Sequence, residues 1–261
     1  MLTGVSILVL CVVFFVIALI YASVGFGGGS SYLAILALFT ISFFTMRSLA
    51  LVCNIVVVSG STFWFIKMGH FKIREFFPFV VTSVPLAFVG ASFKLTEQIF
   101  FSILGVVLIA AALFLFWQTE KFAKVQRETI NKYPETINYV LGASIGLLSG
   151  IVGIGGGIFL APILYYLKWG TPFRVAALSS FFILVNSFSA LGGLIYNSTF
   201  ELTIGPAISI ALCVFIGGQI GVRYSVKKLS ATRIKKLTAI LVLIVGIRVL
   251  LINGLSLISN P

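Results

Sequence analysis

The sequence predicts an all-α polytopic membrane protein built from two inverted-topology repeats, each a glycine-broken helical hairpin followed by three spanning helices. Three observations lead there. Of the 261 residues, 60% are hydrophobic and 9% charged, against about a quarter charged in a soluble domain of ordinary composition. Apolar runs follow one another along almost the whole chain, so a bilayer is the solvent that this surface fits. A glycine cluster occurs twice at a fixed spacing.

The apolar runs fall at about 4–24, 31–46, 48–66, 76–93, 99–118, 137–152, 158–167, 175–196, 203–222 and 234–252. Most reach the length of about 20 residues that crosses a bilayer as a helix, the open-chain structure whose backbone groups are satisfied in lipid. Two are too short. The runs 31–46 and 158–167 make about 24 Å and 15 Å at the helical rise, and each directly follows a glycine cluster. They read as arms of glycine-broken hairpins. The first run has no basic leading segment and exceeds the apolar core of a secretion signal, so it is expected to be a membrane span that is not cleaved.

The clusters reveal the duplication. Tyr21-Ala-Ser-Val-Gly25-Phe-Gly27-Gly28-Gly29-Ser30 matches Ser149-Gly-Ile-Val-Gly153-Ile-Gly155-Gly156-Gly157-Ile158 at an offset of 128, and Arg47, Pro78 and Gly90 fall on or next to the register of Arg174, Pro206 and Gly218. The chain therefore reads as one transmembrane domain, 1–261, with repeat 1 at 1–118, a cytoplasmic linker at 119–135 and repeat 2 at 136–261.

Basic residues choose the topology. With the linker in the cytoplasm and each hairpin returning to its own side, fifteen of the eighteen Lys and Arg residues face the cytoplasm. These include Lys67, Lys72, Arg74, Lys168, Arg174 and the six of the Arg223 to Lys236 loop. Counting the hairpins as single crossings divides the charges almost evenly, so the returning hairpin is preferred. Each half then has an odd number of crossings, and the second is inserted upside down relative to the first, as in many secondary transporters. Both termini are expected outside, in a multi-pass plasma (inner) membrane protein. The net charge of +12 is explained by orientation, and nucleic acid is not expected as a partner. The partners expected are the lipid bilayer and a small anionic substrate, with room left for a homo-oligomer.

The substrate site is expected where the two hairpins meet. Gly25, Gly27, Gly28 and Gly29, with Gly153, Gly155, Gly156 and Gly157, let backbone N–H groups approach a ligand closely. Ser30 and Ser31 open the short helix of the first half, where free N–H groups and the helix dipole favour an anion. Packing is the competing account for such residues, and Gly142, Gly146 and Gly150 form a small-xxx-small stripe of that kind. Neither cluster is followed by the Lys-Ser/Thr pair of a nucleotide loop, and neither fits G-x-G-x-x-G.

Other polar residues within the runs are Asn54, Ser59, Ser61, Ser179, Ser180, Asn186, Ser187 and Ser189. Ser180 and Asn186 are the preferred substrate contacts among them. Arg47 and Arg174, at the mouths of equivalent helices, are candidates for gating or attracting an anion, with interfacial snorkelling as the alternative. All six acidic residues are Glu, at span ends or in loops, so no carboxylate is placed to relay a proton or to hold a cation. His70 is a lone loop histidine, and Cys11, Cys53 and Cys213 lack metal or disulfide spacing. No metal or cofactor is expected, and an enzyme would lack a nucleophile with its base. A non-transporting membrane partner would need a docking module that the short loops do not provide.

The sequence resembles the sulfite exporter TauE/SafE family. The resemblance rests on Val24-Gly-Phe-Gly-Gly-Gly29, on Gly150-Ile-Val-Gly-Ile-Gly-Gly-Gly157 with Pro162 following, and on Arg174-Val-Ala-Ala-Leu-Ser-Ser180. It implies a plasma-membrane transporter of small anions such as sulfite and sulfonates, with those segments carrying the site. The first half departs from the pattern: Ser30 and Ser31 replace its apolar continuation, and Ala34 stands where Pro162 does.

Overall fold

The computed structural model describes residues 4–23, 25–39, 41–122, 133–224, 240, 243–244 and 246–251. They form an all-helical protein, with no strand among them. The elements are α1 (Gly4–Ala22), α2 (Gly29–Leu36), α3 (Phe43–Lys67), α4 (Ile73–Ser92), α5 (Glu97–Phe122), α6 (Thr136–Val152), α7 (Gly157–Tyr166), α8 (Pro172–Tyr196) and α9 (Ile204–Tyr224). Five of them, α3, α4, α5, α8 and α9, are long and apolar enough to cross a membrane, and α1, α6 and α7 are shorter apolar helices. Large hydrophobic side chains such as Leu8, Phe63, Ile204 and Leu212 lie on the outside, as a lipid-facing surface requires.

Helix boundaries follow local chemistry more closely than hydropathy does. The run at 31–46 is cut in two. Its first part is α2, and α3 then begins at Phe43 because Ser42 caps it, the hydroxyl accepting from the Phe44 N–H at 3.3 Å. Thr171 caps α8 in the same way, accepting from the Arg174 N–H at 3.4 Å, with Pro172 at the first helical turn, where its missing N–H costs nothing. α5 continues to Phe122, past the expected start of the linker. The rest of that linker, residues 123–132, and most of the Arg223 to Lys236 loop and of the expected last span 234–252 lie outside the described residues.

Small residues set the closest helix contacts and reveal helix direction. Gly142, Gly146 and Gly150 of α6 press on Phe79, Ser83 and Ala87 of α4, so these two helices run the same way. α8 runs with them, since Ser189 meets Val84, Gly193 meets Phe88, and the Asn197 amide donates to the Ser92 carbonyl. Gly217 and Gly221 of α9 press on Phe15 and Leu19 of α1, again in parallel. α3 runs against α8: Ser48 touches Glu201 beyond the end of α8, whereas His70, just past the end of α3, stacks on Phe173 at its start. α4 thus packs against α6 and α9 against α1, and α3 and α8 face one another. Gly105 of α5 and Gly246 make a further contact, pressing on Leu250 and Leu108 respectively.

Candidate functional site

The two glycine clusters are breaks in the helices, built alike. α1 ends at Ala22 and α2 starts at Gly29, while α6 ends at Val152 and α7 starts at Gly157. Gly25 and Gly153 have φ of 80° and 82°, and the N-caps Gly28 and Gly156 have φ of 89° and 79°. That is left-handed backbone, which a β-carbon disfavours by about 1–2 kcal/mol per residue. Without it the chain could not leave one helix and re-enter another within a few residues.

The first break is held by α8 and the second by α3. Ser180 of α8 donates to the Gly25 carbonyl at 2.8 Å and shares its proton with the Ala176 carbonyl at 2.9 Å. Asn54 of α3 donates through Nδ2 to the Ile154 carbonyl at 3.0 Å. The same Asn54 amide lies against Gly27 and Gly29 of the first break. One side chain thereby touches both breaks and brings them together. A β-carbon on Gly155 would come within 3.1 Å of Asn54 Nδ2 and 3.2 Å of Ser187 Oγ, so Gly155 is the point where bare backbone, an amide and a hydroxyl converge.

Buried polar atoms without a hydrogen-bond partner among the described residues lie on the residues against the second break, Asn54 Oδ1, Ser149 Oγ, Ser179 Oγ and Ser187 Oγ, and Asn186, three residues beyond Ile183 on α8 and so on the same face, leaves both amide atoms unpaired. Buried polar groups are nearly always paired, and each exception calls for an explanation. Four such atoms beside the breaks, with the Asn186 amide on the same face of α8, are hydrogen-bonding capacity that the described residues leave unused. Amides and hydroxyls bear no formal charge, so the capacity is neutral.

The expected site residues divide accordingly. Gly27, Gly29, Gly155 and Gly157 lie in the centre beside α3 and α8. Gly28 packs against Ile17 and Tyr32, and Gly156 against Ile145 and Phe182, so these two shape the turn. Ser30 and Ser31 are buried, and the Ser31 hydroxyl is engaged with Tyr21 Oη at 2.7 Å. Ser180 holds the Gly25 carbonyl, and Asn186 is fully buried with its amide unpaired. Asn54, Ser149, Ser179 and Ser187 join the centre and were not among the preferred sequence candidates. The signal available for Asn54 was an amide in mid-span, which burial makes costly unless it is used.

The two arginines differ. Arg174, in the first turn of α8, forms an ion pair with Glu75 of α4 and lies 5.5 Å from the centroid of the Trp169 ring. Arg47, its repeat mate, is not at an interface: it is 1% exposed and donates through Nη2 to the Gly150 carbonyl at 3.1 Å. Starting α3 five residues earlier than hydropathy alone implied carries Arg47 a full turn inside the helix. Snorkelling is thus excluded for Arg47.

Helical spans with polar side chains gathered at broken helices define the architecture of a membrane transporter. The chain belongs to the sulfite exporter TauE/SafE family, whose model matches residues 10–249. It is also similar to a Sinorhizobium fredii protein named as a probable membrane transporter, y4hK, with 33% identity over 247 residues, 92% of this chain and 97% of that protein. No solved structure matches the chain.

Proposed function

We propose that this protein is a secondary transporter that exports small anions, sulfite, sulfonates or related sulfur compounds, across the plasma membrane by alternating access. The observation that carries the reading is the group of unpaired amide and hydroxyl atoms round Gly155, where two helix breaks meet. Neutral donors and helix N-termini stabilise an anion without a counter-ion. Export from a negative-inside cell is favoured by about 2.3 kcal/mol per charge per 100 mV, so a uniporter needs no carboxylate to couple it.

The helix directions support two halves, 1–118 and 136–261, inserted in opposite senses in one transmembrane domain. α1, α3 and α9 run one way and α4, α6 and α8 the other, so α1 and its repeat mate α6 oppose each other, as do α3 and α8, and α4 and α9. In this reading the linker 119–135 is cytoplasmic and both termini are outside. The Arg174–Glu75 ion pair then ties the cytoplasmic ends of α8 and α4, and alternating access requires it to open.

Reconstituted into liposomes, the protein is expected to exchange labelled sulfite or methanesulfonate against the same internal anion. Absence of counterflow across a panel of sulfur oxyanions and carboxylates would overturn the reading.

A further inference from the structure

We propose that Arg47 supplies the one positive charge of the substrate site and restricts it to oxyanions carrying a single negative charge. The inference rests on the transport reading above and goes further, by naming the charge state of the cargo and the residue that selects it.

Arg47 is first among the largest fully buried side chains, at 1% exposure. No carboxylate lies within ion-pair distance of it among the described residues, where the ion pairs are Lys72–Glu75 and Arg174–Glu75. The acid of the neighbouring loop, Glu201, is engaged elsewhere: its carboxylate accepts from Ser42 Oγ at 2.9 Å and from Thr45 Oγ1 at 3.2 Å. One guanidinium nitrogen donates to the Gly150 carbonyl, Nε has no partner among the described residues, and the group lies 5.6 Å from the centroid of the Phe100 ring. A carbonyl and a ring face attract a cation without neutralising it. An uncompensated charge in a membrane interior is disfavoured, and such residues mark ligand pathways.

Its position fits a role at the site. The Arg47 stem runs along the second break, where a β-carbon on Gly153 would lie 3.7 Å from its Cβ and Cγ. Arg47 and Asn54 are seven residues apart on α3, hence on one face and about 10 Å apart along the axis. Its repeat mate, Arg174, is neutralised by Glu75. Of two equivalent arginines, one has its anion within the molecule and the other is placed to receive it from outside. Since the amides and hydroxyls at the centre are neutral, a monoanion balances the site, whereas a dianion leaves a buried negative charge.

The test uses the full chain in liposomes, with methanesulfonate as monoanion and methanedisulfonate as dianion at one pH. The wild type is expected to carry the monoanion at least tenfold faster. Arg47→Gln is expected to lose at least tenfold of that rate, and Arg47→Lys to retain a measurable part. In detergent, methanesulfonate is expected to raise the melting temperature of the wild type but not of Arg47→Gln, whose ligand-free melting temperature stays level or rises because a buried charge has gone. A fall in that temperature, with monoanion selectivity intact in the residual flux, would show Arg47 to be structural and overturn the proposal. Equal rates for the two anions in the wild type would overturn it while leaving the transport reading standing. No flux of any anion would overturn both.

Discussion

Asn54 and Asn186 are both fully buried and differ in their hydrogen bonding. Asn54 has a partner, the Ile154 carbonyl, and Asn186 has none among the described residues. Replacing Asn54 with Leu leaves that carbonyl without its donor, so a loss of about 1–3 kcal/mol of stability is expected. Asn186→Leu removes an unsatisfied amide at nearly constant volume, so stability is expected to hold or to rise by about 1 kcal/mol. Both variants are expected to lose counterflow. Thermal unfolding in detergent beside a liposome assay checks the pair, and a large destabilisation by Asn186→Leu would show a structural partner for that amide. The glycine breaks were legible at this scale because they are duplicated. Asn54 was not, because its repeat position holds an aromatic residue, Phe181 or Phe182, and duplication gives it no second signal.

Among elements, α6 shows how a sequence stripe becomes an interface. Gly142, Gly146 and Gly150 announced close packing, and the structure supplies the partner, α4. A β-carbon on Gly146 would fall 2.5 Å from both Cα and the carbonyl oxygen of Ser83. That backbone cannot move aside as a side-chain tip does. Gly146→Leu is therefore expected to separate α4 from α6, at 1–3 kcal/mol or more for overpacking, and to lower the yield of monodisperse protein in size-exclusion chromatography. Spacing alone did not name α4 as the partner, since a small-xxx-small stripe describes one helix and leaves the other free. Helix starts were similarly hidden: a Ser or Thr cap within an apolar run changes hydropathy little but fixes the first turn. This is why Arg47 read as interfacial and is buried.

For the whole molecule, the apolar composition and the repeat made the all-helical membrane class legible, while the cross-packing of the two halves was not. Sidedness is the matching prediction. Single cysteines at Lys72 and Ser198, both exposed in loops at opposite ends of the bundle, in a background without Cys11, Cys53 and Cys213, are expected to label from opposite sides. Impermeant maleimide on intact cells should reach Ser198→Cys and spare Lys72→Cys until the membrane is opened. Labelling of both from outside would refute the proposed insertion.

The pairing of α4 with α6 and of α1 with α9 also bears on how the protein is made. When the first half leaves the ribosome, the face of α4 around Phe79, Ser83 and Ala87 has no helix to meet until α6 arrives, and α1 waits for α9, nearly two hundred residues later. Neither half can complete its own packing, so the fold closes only late in synthesis. Two fragments divided in the linker would have to be produced together to yield either one in folded form.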